Sequence, residues 1–177
     1  MLREQQRRDV VFLLVGDGAR RTALEQLARE RGVDDLIVFT GRQPRELMPT
    51  VLSISDACLV HLRGTELFGS VVPSKIFETM AMQRPILMGV RGEALDIVLE
   101  AEAGIEIGPE SAEDLVLAID RLAGDPTLCR SMGVNGRAYV AAHFDRTRLA
   151  DEYLTLLKGV CSPQVQDAEE EAVVHVT

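Results

Sequence analysis

Val10-Val11-Phe12-Leu13-Leu14-Val15-Gly16-Asp17-Gly18-Ala19-Arg20-Arg21 sets a short, wholly apolar run against a Gly-x-Gly, and a segment of helical period follows. An apolar run without alternation marks a strand buried on both faces. Glycines directly after such a strand let a backbone approach a ligand closely, and a helix start turns unpaired N–H groups toward an anion. The rhythm repeats: strands are expected over residues 10–15, 36–40, 57–62, 85–88 and 104–107, and helices over 19–31, 45–53, 74–82 and 93–102. Alternation of this kind predicts an α/β fold, a doubly wound parallel sheet of Rossmann-like type. Beyond the last strand the pattern turns helical, with Ser111-x-x-Asp114 resembling a capping box before a helix through Leu122 and two or three further helices to Val160. From Cys161 onward Ser162, Pro163 and Gln164 lead into Asp167, Glu169, Glu170 and Glu171 without a Lys or Arg. Residues 1–160 are therefore expected to form one domain and 161–177 a disordered acidic tail.

Composition narrows the function classes. The 177 residues are 46% hydrophobic and 27% charged, an ordinary globular balance that excludes a disordered chain. A net charge of −9 argues against nonspecific nucleic-acid binding. The longest apolar runs are strand-sized, well short of the roughly 20 residues of a membrane span. Residues 1–9 are polar and do not read as a signal peptide. Cys58, Cys129 and Cys161 form no Cys-x-x-Cys pair and make a poor disulfide framework, so a reducing, cytoplasmic location is expected.

Ligands of open α/β sheets bind beyond the strand C-termini, which directs attention to the loops there. In the first, Gly16 and Gly18 either line a ligand cleft or serve a tight turn. A dinucleotide fingerprint would want a third Gly where Arg21 stands and an acid after the second strand, where Thr40-Gly41-Arg42 occurs. No Gly-Lys dipeptide is present, so a Walker-type phosphate loop is excluded.

The richest segment is Phe68-Gly69-Ser70-Val71-Val72-Pro73-Ser74-Lys75-Ile76-Phe77-Glu78-Thr79-Met80-Ala81. Pro73-Ser74 predicts a helix start with Ser74 at or beside the N-cap and the N–H groups of Lys75, Ile76 and Phe77 turned toward a phosphate. Lys75 is one of only two lysines, the other being Lys158, and its compact ammonium suits a phosphate contact. Glu78 shares the face of Ser74 and could accept two hydrogen bonds from the vicinal hydroxyls of a ribose. Alternatively, Glu78 pairs with Lys75 on a solvated face. His61 and His143 lack partners at metal-ligand spacing, no Asp-x-Asp is present to chelate a metal diphosphate, and Cys58 reads as a core residue.

Together, Val15-Gly16-Asp17-Gly18, Val38-Phe39-Thr40-Gly41-Arg42, Asp56-Ala57 and Pro73-Ser74-Lys75-x-x-Glu78-x-Met80-Ala81-x-x-x-Pro85-Ile86 resemble, in order and spacing, the C-terminal half of family-four glycosyltransferases. Gly92-Glu93, Gly104 and Met132-Gly133-x-x-Gly136-Arg137 extend the resemblance, which covers residues 10–158 and is greatest to the bacterial capsule and O-antigen branch. It implies half of a GT-B enzyme, the domain that holds a nucleotide-diphosphate sugar, with a UDP-sugar as the expected donor and no resident metal or other cofactor. Sugar would pass with retention to a polysaccharide or lipid-linked acceptor. By position, Glu78 matches the ribose-binding second Glu of the family's Glu-x7-Glu, and Ser74 and Lys75 match the diphosphate loop. Gly41, Arg42 and Gln43 match the base-contacting stretch, and Gly16 and Gly18 would line the same cleft. Ser70 stands where the first Glu belongs.

The family's donor domain also opens with a βα unit carrying an Arg and a Lys, and residues 1–9 resemble the end of that unit's helix. The chain is thus expected to lack this unit and to need an N-terminal acceptor domain, in the same chain or a separate one, through which any membrane contact would come. Without its central strand, such a sheet must expose two inner edges, close the gap differently or borrow a strand. Two other functions fit: a non-catalytic nucleotide-sugar-binding subunit of a split enzyme, and a nucleotide-sugar epimerase, for which His61 and Glu66 would be the nearby polar groups. The helical stripe Leu149, Tyr153, Leu156 and Leu157 is either core or a self-associating surface.

Overall fold

The computed structural model describes Leu2 and residues 7–161. Along the chain run β1 (Phe12–Val15), α1 (Arg21–Arg31), β2 (Ile37–Gly41), α2 (Met48–Ile54), β3 (Cys58–His61), α3 (Glu66–Gly69), α4 (Lys75–Ala81), β4 (Ile86–Gly89), α5 (Glu93–Glu100) and β5 (Gly104–Glu106). Three helices follow: α6 (Ala112–Gly124), α7 (Pro126–His143) and α8 (Arg146–Cys161). All the strand pairs are parallel, as the alternation of elements predicts. Cys161, expected to open the tail, instead closes α8, and the remainder of that expected segment lies outside the described residues.

The strands fall into two sheets, β1-β2 and β3-β4-β5. Among the described strands no ladder joins β1 or β2 to β3, β4 or β5. Burial differs sharply between the two. Every residue of β4 is buried, because α helices cover both faces. Ile86 and Met88 face a cluster with Val60 of β3, Ile76 and Met80 of α4, and Ala94 and Val98 of α5. Leu87, pointing the other way by the two-residue period of a strand, meets Ala118 and Leu122 of α6 and Met132 of α7. Ile76, Met80, Ile86 and Met88 are fully buried, and each stabilises the fold by about 1.5–3 kcal/mol. Around β1 and β2 the only buried hydrophobic residues among those described are Ala28 and Leu36, with Gly41 buried at the end of β2, and Val38 remains 48% exposed.

Helix α7 locks α4 in place. Gly133 meets the carbonyl of Gln83 in the turn after α4, Gly136 meets Met80 and Ala103, and the Phe77 and Phe144 rings pack at a tilt with centroids 4.5 Å apart. Asp125 caps α7 by accepting from the amides of Thr127 and Leu128, with Pro126 in the first turn.

Several local expectations are corrected. The segment expected as one helix over 45–53 is a 3-10 turn, Arg45–Leu47, followed by α2, because Pro49 has no N–H to carry the hydrogen-bond pattern through. The short α3 has no apolar period to announce it and is held by Phe68 and Gly69 donating to the Thr65 carbonyl. At α6, Ser111 Oγ accepts from Asp114 N at 3.1 Å as expected, but the Asp114 carboxylate accepts from Gly108 N at 2.8 Å, so the capping box is half formed. Cys58 is half-buried rather than core, and burial pushes its thiol pKa up.

Helix α8 buries nothing: Tyr153 is 64% and Leu156 68% exposed, and Val160 more so. The apolar stripe read from the sequence is therefore surface, not core. Among the described residues no helix is long and apolar enough to cross a membrane.

Candidate functional site

The C-terminal ends of the strands carry the candidate residues in two groups. At β1 and β2, the amide of Gly16 donates to the carbonyl of Gly41 at 2.9 Å, tying the two loops together just past the strands. The ladder skips Thr40, pairing Val15 with Gly41. Gly41 takes φ +72°, a left-handed conformation that favours glycine, and Gly16 takes φ +140°. The turn therefore requires Gly16 for conformation, whereas Gly18 has open space where a side chain would stand and leaves room for a ligand. Arg42 is exposed, while Gln43 is half-buried and donates to the Thr40 carbonyl at 2.9 Å.

Arg21 belongs to this group. Its Nε donates to Glu25 at 2.7 Å, and Asp17 lies 3.7 Å from its Nη1. Glu25 first and then Asp17 raise its pKa and hold it charged. A Cβ on Gly41 would come within 2.6 Å of Nη1, so the guanidinium occupies the space that the missing side chain leaves. The sequence marks Arg21 only as the residue standing where a dinucleotide fingerprint would have glycine.

The second group surrounds α4. Ser74, Lys75 and Glu78 are exposed on one face, and Ile76, Thr79 and Met80 are buried on the other. This division follows from the helical period and puts Glu78 where the sequence expects it. Lys75 and Glu78 form no ion pair with each other, which removes the alternative in which they neutralise one another. Ser74 takes the N-cap position of α4 as expected, with helical angles of φ −56°, ψ −24° and no side-chain cap hydrogen bond. The amides of Ile76 and Phe77 donate to the carbonyls of Pro73 and Ser74, so the first turn consumes two of the three N–H groups expected to meet a phosphate. The Ser74 hydroxyl and the Lys75 ammonium remain as exposed polar groups at this turn. Ser70 donates its hydroxyl to Leu67 O at 2.9 Å, and the adjacent Gly69 packs against Gly92 at the start of α5.

No hydrogen bond or ion pair among the described residues joins the two groups directly. They share a charge pattern. Although the chain carries −9, Arg20, Arg42, Arg63 and Arg91 follow β1, β2, β3 and β4, and Lys75 opens α4, so each of these loops brings a cation to one edge. His61 also stands at this edge, but its Nε2 accepts from the Glu110 amide at 3.1 Å and latches the loop after β5. Among the described residues no group of three His, Cys, Asp or Glu side chains is arranged to hold a metal.

A family model described as glycosyl transferases group 1 matches residues 1–139. Among curated proteins, the alpha-D-kanosaminyltransferase of Streptomyces kanamyceticus is 30% identical over 153 residues, which are 86% of this chain and 38% of that protein. The GDP-mannose-dependent alpha-(1-6)-phosphatidylinositol monomannoside mannosyltransferase of Mycolicibacterium smegmatis is 29% identical over 143 residues, covering 79% of this chain and 37% of that one. The chain thus spans well under half the length of these relatives. Among solved structures, Anabaena HepE in complex with UDP-glucose has the same fold, with a TM-score of 0.73 at 21% identity over 86% of this chain and 42% of that one. With the family match running through most of its length, this chain belongs to the group 1 glycosyl transferases.

Proposed function

We propose that the chain is the donor-binding domain of a retaining, GT-B-type glycosyltransferase of family four, close to the capsule and O-antigen branch. In this reading it moves a sugar from a nucleotide-diphosphate sugar to a polysaccharide or lipid-linked acceptor in the cytoplasm. The observation that carries it is the row of cations after β1, β2, β3 and β4 and at the start of α4, along the ligand edge of an otherwise acidic chain, with the unpaired Glu78 carboxylate beside Lys75. Cations there attract a diphosphate and stabilise its charge as the sugar departs. Ser74 and Lys75 bind the diphosphate, Glu78 binds the ribose hydroxyls, and Ser70 faces the sugar. Gly16, Gly18, Gly41, Arg42 and Gln43 border the base. The names of the relatives support a nucleotide-sugar donor, and HepE was solved with UDP-glucose, in keeping with a UDP-sugar. Lacking an Asp-x-Asp, the chain would rely on positioning and these cations rather than on a resident metal.

Full transfer in this proposal requires an N-terminal acceptor domain. A second reading, the nucleotide-sugar-binding subunit of a split enzyme, draws on the uncovered apolar face of α8, on which a partner or a second copy would dock.

Calorimetric titration with UDP, GDP and ADP tests the donor site. One nucleotide should bind, and Glu78→Ala, which removes a charged hydrogen-bonding group worth about 1.5–3 kcal/mol, should weaken it about tenfold or more. No binding up to millimolar nucleotide, or an unchanged affinity in Glu78→Ala, refutes the assignment.

A further inference from the structure

We propose that Arg21 is a specificity-determining residue of the donor site and selects a carbonyl-bearing base, uracil or guanine, over adenine. The inference rests on the nucleotide-sugar reading above, in which the base lies against Gly41, Arg42 and Gln43.

Arg21 is held from both sides. Asp17 one turn before it and Glu25 one turn after it engage Nη1 and Nε, at 3.7 and 2.7 Å, which fixes the direction of a side chain that is otherwise long and mobile. The guanidinium is thereby held against the Cα of Gly41, where its Nη1 fills the volume a Cβ would take. Gly41 is also the residue whose carbonyl receives the Gly16 amide, so Arg21 touches the point where the loops after β1 and β2 are tied. The neighbouring amide side chain is already engaged, because Gln43 Nε2 donates to the Thr40 carbonyl. Arg21 remains 35% exposed in its side chain, enough to meet a ligand.

What it presents is chemically one-sided. A guanidinium has five N–H donors and no acceptor, and two carboxylates consume only part of that capacity. A base that turns a carbonyl oxygen toward Gly41 gains a charge-assisted hydrogen bond. Adenine carries an amine where guanine carries its O6 carbonyl, so in the same pose it sets donor against donor, and its ring-nitrogen acceptors meet the guanidinium only if the base turns. Discrimination of about tenfold is expected from gaining or losing one such bond.

The test uses the full chain and its Arg21→Ala and Arg21→Met variants, each titrated with UDP, GDP and ADP, with thermal unfolding recorded alongside. Arg21→Met keeps the packing of the stem and removes the donors, so it reports even if Arg21→Ala folds poorly. Wild type should favour UDP or GDP over ADP by about tenfold, and the variants should lose that preference while ADP affinity and the unfolding midpoint hold. A purely structural role would weaken all three nucleotides together, and that result overturns the proposal. So does a wild-type preference for ADP, or a discrimination ratio unchanged in both variants. In these cases Glu78→Ala still weakens binding about tenfold or more and the donor-site reading stands, whereas a wild type that binds no nucleotide overturns both.

Discussion

Gly133→Ala should destabilise the protein even though helix propensity favours it. Gly133 lies in the middle of α7, where replacing glycine with alanine is worth about 1 kcal/mol by propensity alone. The new Cβ, however, would fall on the carbonyl of Gln83, 2.8 Å from its carbon and 3.3 Å from its Cα. Relaxed carbon–carbon contacts lie at about 3.5–4.0 Å, so helix and turn must separate by around an ångström. Neither can yield easily. The turn is fixed by Gln83 N donating to Met80 O at 2.9 Å and Arg84 N to Thr79 O at 3.1 Å, and one turn further along α7 a Cβ on Gly136 would stand 3.0 Å from both Met80 and Ala103. Overpacking of this kind costs up to about 3 kcal/mol, and against the propensity gain a net loss of about 2 kcal/mol remains. Urea unfolding reads this as a midpoint about 1 M lower, for an m-value of about 2 kcal/mol/M. Gly159→Ala, also helical but with open space around it, is the control and should cost nothing. Gly133→Ala as stable as wild type would refute the idea that backbone contact between α7 and the turn after α4 sets the position of the α4 site face.

Other consequences can be checked independently. Thiol labelling at neutral pH should modify the exposed Cys161 fastest and Cys58 slowest, because burial raises the Cys58 pKa and depletes its thiolate; equal rates would contradict the fold around β3. The Arg7 guanidinium holds the Asp9 carboxyl below its ordinary value of 3.8, so this pair stabilises the native state above that pH and the contribution disappears as the pH falls through the lower, folded value. Thermal midpoints measured from pH 2 to 5 should therefore change less in Asp9→Asn than in wild type. Leu156→Ala, in the exposed face of α8, should alter unfolding by less than about 0.5 kcal/mol, and a larger loss would mean that the helix is packed in the isolated protein.

Elements whose identity lies in local pattern were readable from the sequence. Pro85-Ile86-Leu87-Met88 announced β4, Ser111 announced the start of α6, and the spacing of Ser74, Lys75 and Glu78 put them on one helical face. Failures came where the decisive partner is remote or the turn has no periodicity. Ser74 stands at the N-cap of α4 as expected, but the absence of a side-chain cap bond follows from helical backbone angles that residue type does not dictate. Periodicity identifies strands without naming their neighbours, so the division into two sheets had no local signature. Arg21 and Gly41 are twenty positions apart, and nothing in either residue's surroundings in the chain signals that one fills the void of the other.

The two sheets differ in more than strand pairing. Amide hydrogen exchange should divide the molecule into two cooperative units: the β4 amides, behind helices on both faces, exchange only through global opening, while those of β1 and β2, with little buried beneath them, exchange through cheaper sub-global opening. A nucleotide that touched both Gly41 and Glu78 would close the weaker unit against the stronger one. Its apparent affinity would then be its intrinsic affinity scaled by the fraction of molecules with the β1-β2 unit already in place. Any contact that steadies that unit from outside would tighten nucleotide binding without touching the nucleotide.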